Sequence, residues 1–223
     1  MMARFRTQIG VGLAAVVLAA CSHPAAVGTP PSPEQASHST RSEPAAAPAR
    51  YPYTPADVEF MSHMIGHHAQ AIVMSGWAPT NGASPSVRTL AERIINAQQD
   101  EIATMQRWLR KRGQPVPEAS AAGMTMKMGG SVHAMLMPGM LTEAQMKQLH
   151  QARGEEFDRL FLTFMIQHHS GAVTMVHDLF GSRGAAQDET VFKFANDVSV
   201  DQSTEIARMK QMLAALPSAT HSP

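Results

Sequence analysis

The residues best equipped for chemistry are two adjacent histidine pairs, His67-His68 and His168-His169, each set among methionines. Imidazole beside thioether suits copper, and the sulfurs favour Cu(I). The two pairs belong to one repeated pattern. Asp57, Phe60, Met64, Ile65, His67, His68, Ala71 and Met74 match Asp158, Phe161, Met165, Ile166, His168, His169, Ala172 and Met175 at a constant offset of 101 residues. Downstream, Val87, Ala91, Gln98, Glu101, Ile102, Met105 and Leu109 match Val191, Ala195, Gln202, Glu205, Ile206, Met209 and Leu213 at an offset of 104. Chance gives one shared His-His pair but hardly the whole set in register, so a pair of helices is duplicated.

At about 100° per residue, Met64 and His68 fall near the middle of an apolar helix face, while His67 and Met74 fall at its margin. The second copy behaves alike, with Met165 and His169 central and His168 and Met175 marginal. Gln98 and Glu101 lie within the apolar face of the partner helix, as do Gln202 and Glu205 in the copy. A carboxylate on an apolar face is costly without a partner, and the histidines of the neighbouring helix are the natural candidates. The expected ligands are therefore Met64, His67, His68, Met74, Met165, His168, His169 and Met175, with Glu101, Glu205, Gln98 and Gln202 supporting them from behind. The competing reading is structural. Methionines at helical spacing fill cores, and a buried Glu–His pair can serve only to fix register.

A second group of donors lies in the Gly/Met-rich stretch 119–139. Met124, Met126 and Met128 alternate between glycines and are followed by His133, Met135, Met137 and Met140. That period is wrong for a helix core, and the glycines disfavour a helix. We expect a flexible copper collector in which Met124, Met126, Met128 and His133 contribute donors. The rivals are a hydrophobic lid over the bundle and a set of sacrificial oxidant traps.

The elements that must position these groups are helical, and no segment has convincing strand alternation. Thr54-Pro55-Ala56-Asp57 is a helix start, and the helix should run to about Trp77. Ser84-Pro85 repeats the signal for a helix reaching Arg112, ended by Gly113, Pro115 and Pro117. Thr142 to Gln145 resembles a capping box opening a helix that could reach Phe180, bent near Gly154. Asp188 is a fair cap for a last helix to about Leu216. Two αα-hairpins, each with one apolar face, bury those faces most simply against each other as a four-helix bundle with a pseudo-two-fold axis.

The amino-terminal segment speaks to location. Arg4 and Arg6 precede an apolar run from Ile9 to Ala20, too short to span a bilayer core of about 30 Å. The run ends in Leu18-Ala19-Ala20-Cys21, which resembles a bacterial lipobox, and Cys21 is the only cysteine. Residues 1–20 read as a lipoprotein signal peptide and Cys21 as the lipidated residue. Residues 21–52, rich in Pro, Ala and Ser, read as a disordered tether to a 53–217 bundle, and 218–223 as a frayed tail. With Cys21 acylated, no thiol remains for disulfides or zinc-thiolate sites. The formal net charge is zero, with 18 basic and 18 acidic residues, so no basic footprint for nucleic acid is present.

Met137-Pro138-Gly139-Met140-Leu141-Thr142, Phe157-Asp158 and the run Phe164 to Met175, together with the first copy from Phe60 to Met74, resemble the domain of unknown function 305 family. The resemblance covers about Tyr53 to Leu216. It implies a ferritin-like four-helix bundle, commonly exported, with some members binding copper in the periplasm. The positions carried over are Met64, His67, His68 and Met74, with Met165, His168, His169 and Met175. The match to the wider ferritin-like group is architectural, since di-iron bundles pair a Glu with a Glu-x-x-His and here the helices carry His-His and Gln-x-x-Glu.

The resulting expectation is an all-α, lipid-anchored envelope protein that sequesters or transfers copper as Cu(I), held by a membrane on the extracytoplasmic side. A copper-handling protein would be its partner. Nothing in the sequence indicates a catalytic cycle. The alternatives are a metal-dependent oxidase or peroxide scavenger, with Glu101, Glu205 and the histidines around iron or manganese, and a lipoprotein with a structural or partner-binding role.

Overall fold

The computed structural model describes residues 53–217 apart from 123, 129 and 130, and for 124–128 and 131–135 it describes the backbone alone. Cys21, the 1–20 and 21–52 segments and the 218–223 tail lie outside the described residues. The elements are α1 (Pro55–Gly76), α2 (Pro85–Lys111), β1 (Met124–Met128), β2 (Ser131–Met135), α3 (Glu143–Gln151), α4 (Gly154–Gly181) and α5 (Glu189–Ala215).

α1 starts where its sequence directs. Thr54 caps it, Pro55 takes the first turn, and Asp57 returns a bond to the Thr54 amide at 2.6 Å. The second oxygen of Asp57 accepts from the amide of Ala186, 2.7 Å away in the α4–α5 loop. Its duplicate Asp158 accepts from the amide of Ser84, the residue capping α2, at 3.2 Å to each oxygen. Each hairpin thus clamps the loop of the other. Such charge-assisted bonds to buried backbone stabilise by about 1.5–3 kcal/mol each.

α1 packs on α2, α4 on α5, and the two hairpins meet through α1 and α4. This is the expected helical bundle of two duplicated hairpins. Two separate apolar clusters fill it. One gathers Phe60, Met64, Met105 and Leu109 with Met175, Leu179, Val191 and Phe194. The other gathers Met74, Leu90 and Ile94 with Leu149, Phe157, Phe161, Met165 and Met209. Each cluster joins one half of α1 to the opposite half of α4, so the midpoints of these helices, where the histidines lie, fall between the two clusters.

The helix expected to reach Phe180 from the Thr142 cap, bent near Gly154, is instead two, α3 and α4, parted at Ala152 and Arg153 beside that glycine. The cause is tertiary. Asn81, in the α1–α2 loop, donates to the carbonyls of His150 and Ala152 at 3.0 Å each, taking acceptors that a continuous helix would use itself. Its own carbonyl accepts from the amide of Gly154 at 2.8 Å, and Gly154 makes the corner with a φ of 57°.

The Met-rich stretch also departs from the expectation of no strand. β1 and β2 form an antiparallel ribbon that places Met124 opposite Met135 and Met126 opposite His133. After it, Met137 to Leu141 forms a strap lying across α1 and α4. Gln70 of α1 holds the strap, accepting from the Leu141 amide at 2.7 Å and donating to the Leu141 carbonyl at 3.1 Å. On α4 the strap needs Gly171, since a Cβ there would stand 1.9 Å from the Pro138 carbonyl oxygen. Gln70 and Gly171 are equivalent in the repeat, so the duplication is broken where one strap must cross a two-fold pair. Among the described residues no helix is long and apolar enough to cross a membrane.

Candidate metal centre

The midpoints of α1 and α4 bring His67, His68, His168 and His169 into one layer between the two apolar clusters, and all four side chains are fully buried. His67 and His168 meet across the hairpin interface with ring centroids 3.8 Å apart and planes tilted by 38°. His68 and His169 flank them, 6.3 Å and 6.2 Å from their chain neighbours. α2 and α5 supply the outer members. Nε2 of His169 hydrogen-bonds Oε2 of Glu205 at 2.7 Å. Nε2 of His68 lies 2.6 Å from Oε2 of Glu101, off-line for a good hydrogen bond but in ion-pair range. The order across the bundle is Glu101, His68, His67, His168, His169, Glu205, so the two half-sites merge into one row.

These partners fix the protons. A carbonyl or carboxylate oxygen only accepts, so Nε2 of His169 is the donor to Glu205. The same holds for His67, whose Nε2 donates to the Pro138 carbonyl of the strap at 3.1 Å. Nδ1 of the neutral His67 ring is then a lone pair, and Nδ1 of His67, His68 and His169 has no hydrogen-bond partner. Both ring nitrogens of His168 lack one. A run of buried, unanswered imidazole nitrogens is unusual, because buried polar atoms are nearly always paired. Two of the four, His67 and His169, are held through Nε2 with Nδ1 left free, as metal-ligating imidazoles commonly are.

Burial, and then the neighbouring His68, lower the His67 pKa from 6.5 to about 3. Burial, and then His67, His169 and His68, likewise hold His168 well below its ordinary value. Both rings stay neutral and able to bind a cation at ordinary pH.

His67 and Met74, expected at the margin of the apolar face, are fully buried, as is His168, and Met175 is nearly so. The strap explains His67, since its backbone covers that margin and bonds the ring. Met64 and Met165 are fully buried on either side of the layer, Met64 sharing a cluster with Met175 and Met165 with Met74. Gln98 and Gln202 are buried beside the glutamates, each with Oε1 unpartnered. Among the described residues no three His, Asp or Glu side chains gather as a ready metal-binding set. Met124, Met126, Met128 and His133 are placed by backbone register alone, and their side chains lie outside the description. Sequence reasoning missed Gln70 and Gly171, although the 101-residue offset pairs them and their mismatch is visible there. It also missed His63.

A family model described as Domain of unknown function (DUF305) matches residues 57–213. A DUF305 protein from Streptomyces coelicolor, described as secreted, is 30% identical, with a TM-score of 0.60 over 71% of this chain and 92% of its own. A DUF305 fragment from Deinococcus radiodurans is also 30% identical, with a TM-score of 0.61 over 74% and 99%. CopM in its Cu(I)-bound form is 29% identical, with a TM-score of 0.54 over 73% and 97%, and CopM has also been solved bound to Cu(II) and to silver. An uncharacterized protein of Acanthamoeba polyphaga mimivirus is 39% identical over 56 residues, which are 25% of this chain and 37% of that relative, so the chain spans little more than a third of that relative's length. With its model matched over most of the bundle, the chain belongs to the DUF305 family.

Proposed function

We propose that this protein binds copper as cargo within the histidine layer and sequesters it or hands it to a copper-handling partner in the cell envelope. The observation that carries the reading is the layer of four fully buried imidazoles, none of whose Nδ1 atoms has a hydrogen-bond partner. A bound cation would answer these lone pairs, with Glu101 and Glu205 holding the outer rings in place. Since no three nitrogen or carboxylate groups gather as a set, a thioether from Met64, Met165 or Met74 is the natural additional donor. That mixed set favours Cu(I) over iron or manganese, which prefer oxygen. The copper- and silver-bound forms of CopM support the same choice.

Met124, Met126, Met128 and His133 of the ribbon would collect the ion, and lipidation at Cys21 would hold the bundle at the membrane. The secreted description of the Streptomyces coelicolor relative agrees with an extracytoplasmic site. Calorimetric titration of the full chain with Cu(I) held reduced is the test. We expect uptake tighter than micromolar that weakens when His67, His68, His168 and His169 are replaced together. Absent uptake, or affinity untouched by those replacements, removes the proposal.

A further inference from the structure

Away from the histidine layer, a cavity opens in the notch between α1, α4 and the strap. It has a volume of about 260 Å3, and its lining includes His63, Met137, Met175, Glu59 and Asp178. The repeat supplies an internal comparison for it. At the 101-residue offset, Ala56, Glu59 and His63 correspond to Phe157, Leu160 and Phe164, and Asp178 corresponds to Trp77. In the other half this space belongs to aromatic and aliphatic side chains, with Phe157 fully buried and Phe164 nearly so. Helix packing therefore does not require a histidine at 63 or carboxylates at 59 and 178. The first half carries ionisable and donor groups where the second carries bulk, and a cavity is the result.

The chemistry of the lining is specific. Two thioethers and one imidazole form a soft donor set matched to a monovalent coinage-metal ion. The exposed carboxylates of Glu59 and Asp178 add negative charge at the mouth, and Oε1 of Glu59 lies 3.8 Å from Nδ1 of His63. Met137 and Met175 are buried while His63 is half-buried, so sulfurs form the floor and imidazole the rim. His63 stands one helical turn before His67, and the strap residue after Met137 is the one whose carbonyl holds His67. We propose that His63, Met137 and Met175 form a second, solvent-accessible Cu(I) site that receives the ion before it enters the histidine layer. It rests on the copper reading above and adds to it a separate place of capture.

The test is titration of the full chain, labelled with 13C at the methionine methyls, with Ag(I) as a redox-inert stand-in, alongside the variant His63→Phe that copies the second hairpin. We expect the Met137 and Met175 methyl signals to move with early equivalents in the parent. In His63→Phe they stay unmoved at those equivalents, and the total capacity falls by one ion. Because phenylalanine already occupies the equivalent position, this variant is expected to fold, which its unshifted remaining methyl signals would verify. Methyl shifts and capacity unchanged in His63→Phe overturn the capture site while leaving the histidine layer standing, and a collapsed methyl spectrum moves the test to Met137→Leu, read by the Met175 methyl and the ion capacity. A parent chain that takes up neither Ag(I) nor Cu(I) overturns the copper reading and this inference together.

Discussion

Replacing His168 with leucine separates a binding role for the histidine layer from a purely structural one. The ring is fully buried, and neither of its nitrogens has a hydrogen-bond partner. Each buried, unsatisfied polar group costs about 1–3 kcal/mol, whereas an apolar side chain of similar size carries no such cost. Some of the gain is offset by repacking against His67, whose ring centroid is 3.8 Å away. The metal-free His168→Leu protein should therefore be more stable than the parent by about 1–3 kcal/mol at pH 7. With a urea dependence of about 1–3 kcal/mol per molar, the unfolding midpoint rises by about 1 M. The same variant should bind copper less tightly. A site that is stabilised by losing its histidine is one held for function at a cost in stability. A variant less stable than the parent by more than about 1 kcal/mol, with copper uptake intact, refutes the reasoning and assigns His168 to packing.

Three further outcomes are expected. Because His67 and His168 have pKa values below those of the unfolded chain, the unfolded state binds more protons as pH drops beneath 6.5, and stability falls. The loss between pH 7 and pH 5 should be about 2 kcal/mol from His67, with His168 adding to it in the same direction, read from urea unfolding at each pH, and a flat profile would contradict the burial of neutral imidazoles. Gly171→Ala drives a Cβ into the Pro138 carbonyl, displacing the strap. It should cost about 1–3 kcal/mol and speed hydrogen exchange at the Leu141 amide held by Gln70, and unchanged exchange would mean the strap is not seated there. Glu205→Gln keeps a neutral partner for His169 but removes the charge behind it. Copper affinity should fall about 10- to 100-fold in competition with a Cu(I) chelator, and equal affinity would leave the Glu205–His169 bond a matter of packing alone.

Much of the bundle was legible because its signals are local. Thr54, Ser84 and Asp188 cap helices through their own side chains, so their positions announce the starts of α1, α2 and α5. The proximity of Glu101 to His68 and of Glu205 to His169 followed from a carboxylate on an apolar face needing a partner. What escaped was imposed from a distance. Asn81 breaks the α3–α4 helix from about 70 residues away in the chain, and the strap buries His67 at a margin that a helical wheel leaves open. His63 escaped for another reason. Its counterpart in the second copy is Phe164, and attention to what the copies share passes over the positions where they differ.

The exchanged aspartate clamps bear on how such a protein came to be assembled. Asp57 answers a loop amide of the second hairpin, and Asp158 one of the first. A lone hairpin would leave its carboxylate without that amide, while two identical hairpins around a dyad would answer each other. The bonds that link the halves of one polypeptide are thus of the reciprocal kind that two-fold symmetry gives a homodimer. Within one chain each half is free to diverge, and a lone strap crossing α1 and α4 is a feature that two identical subunits could not have shared.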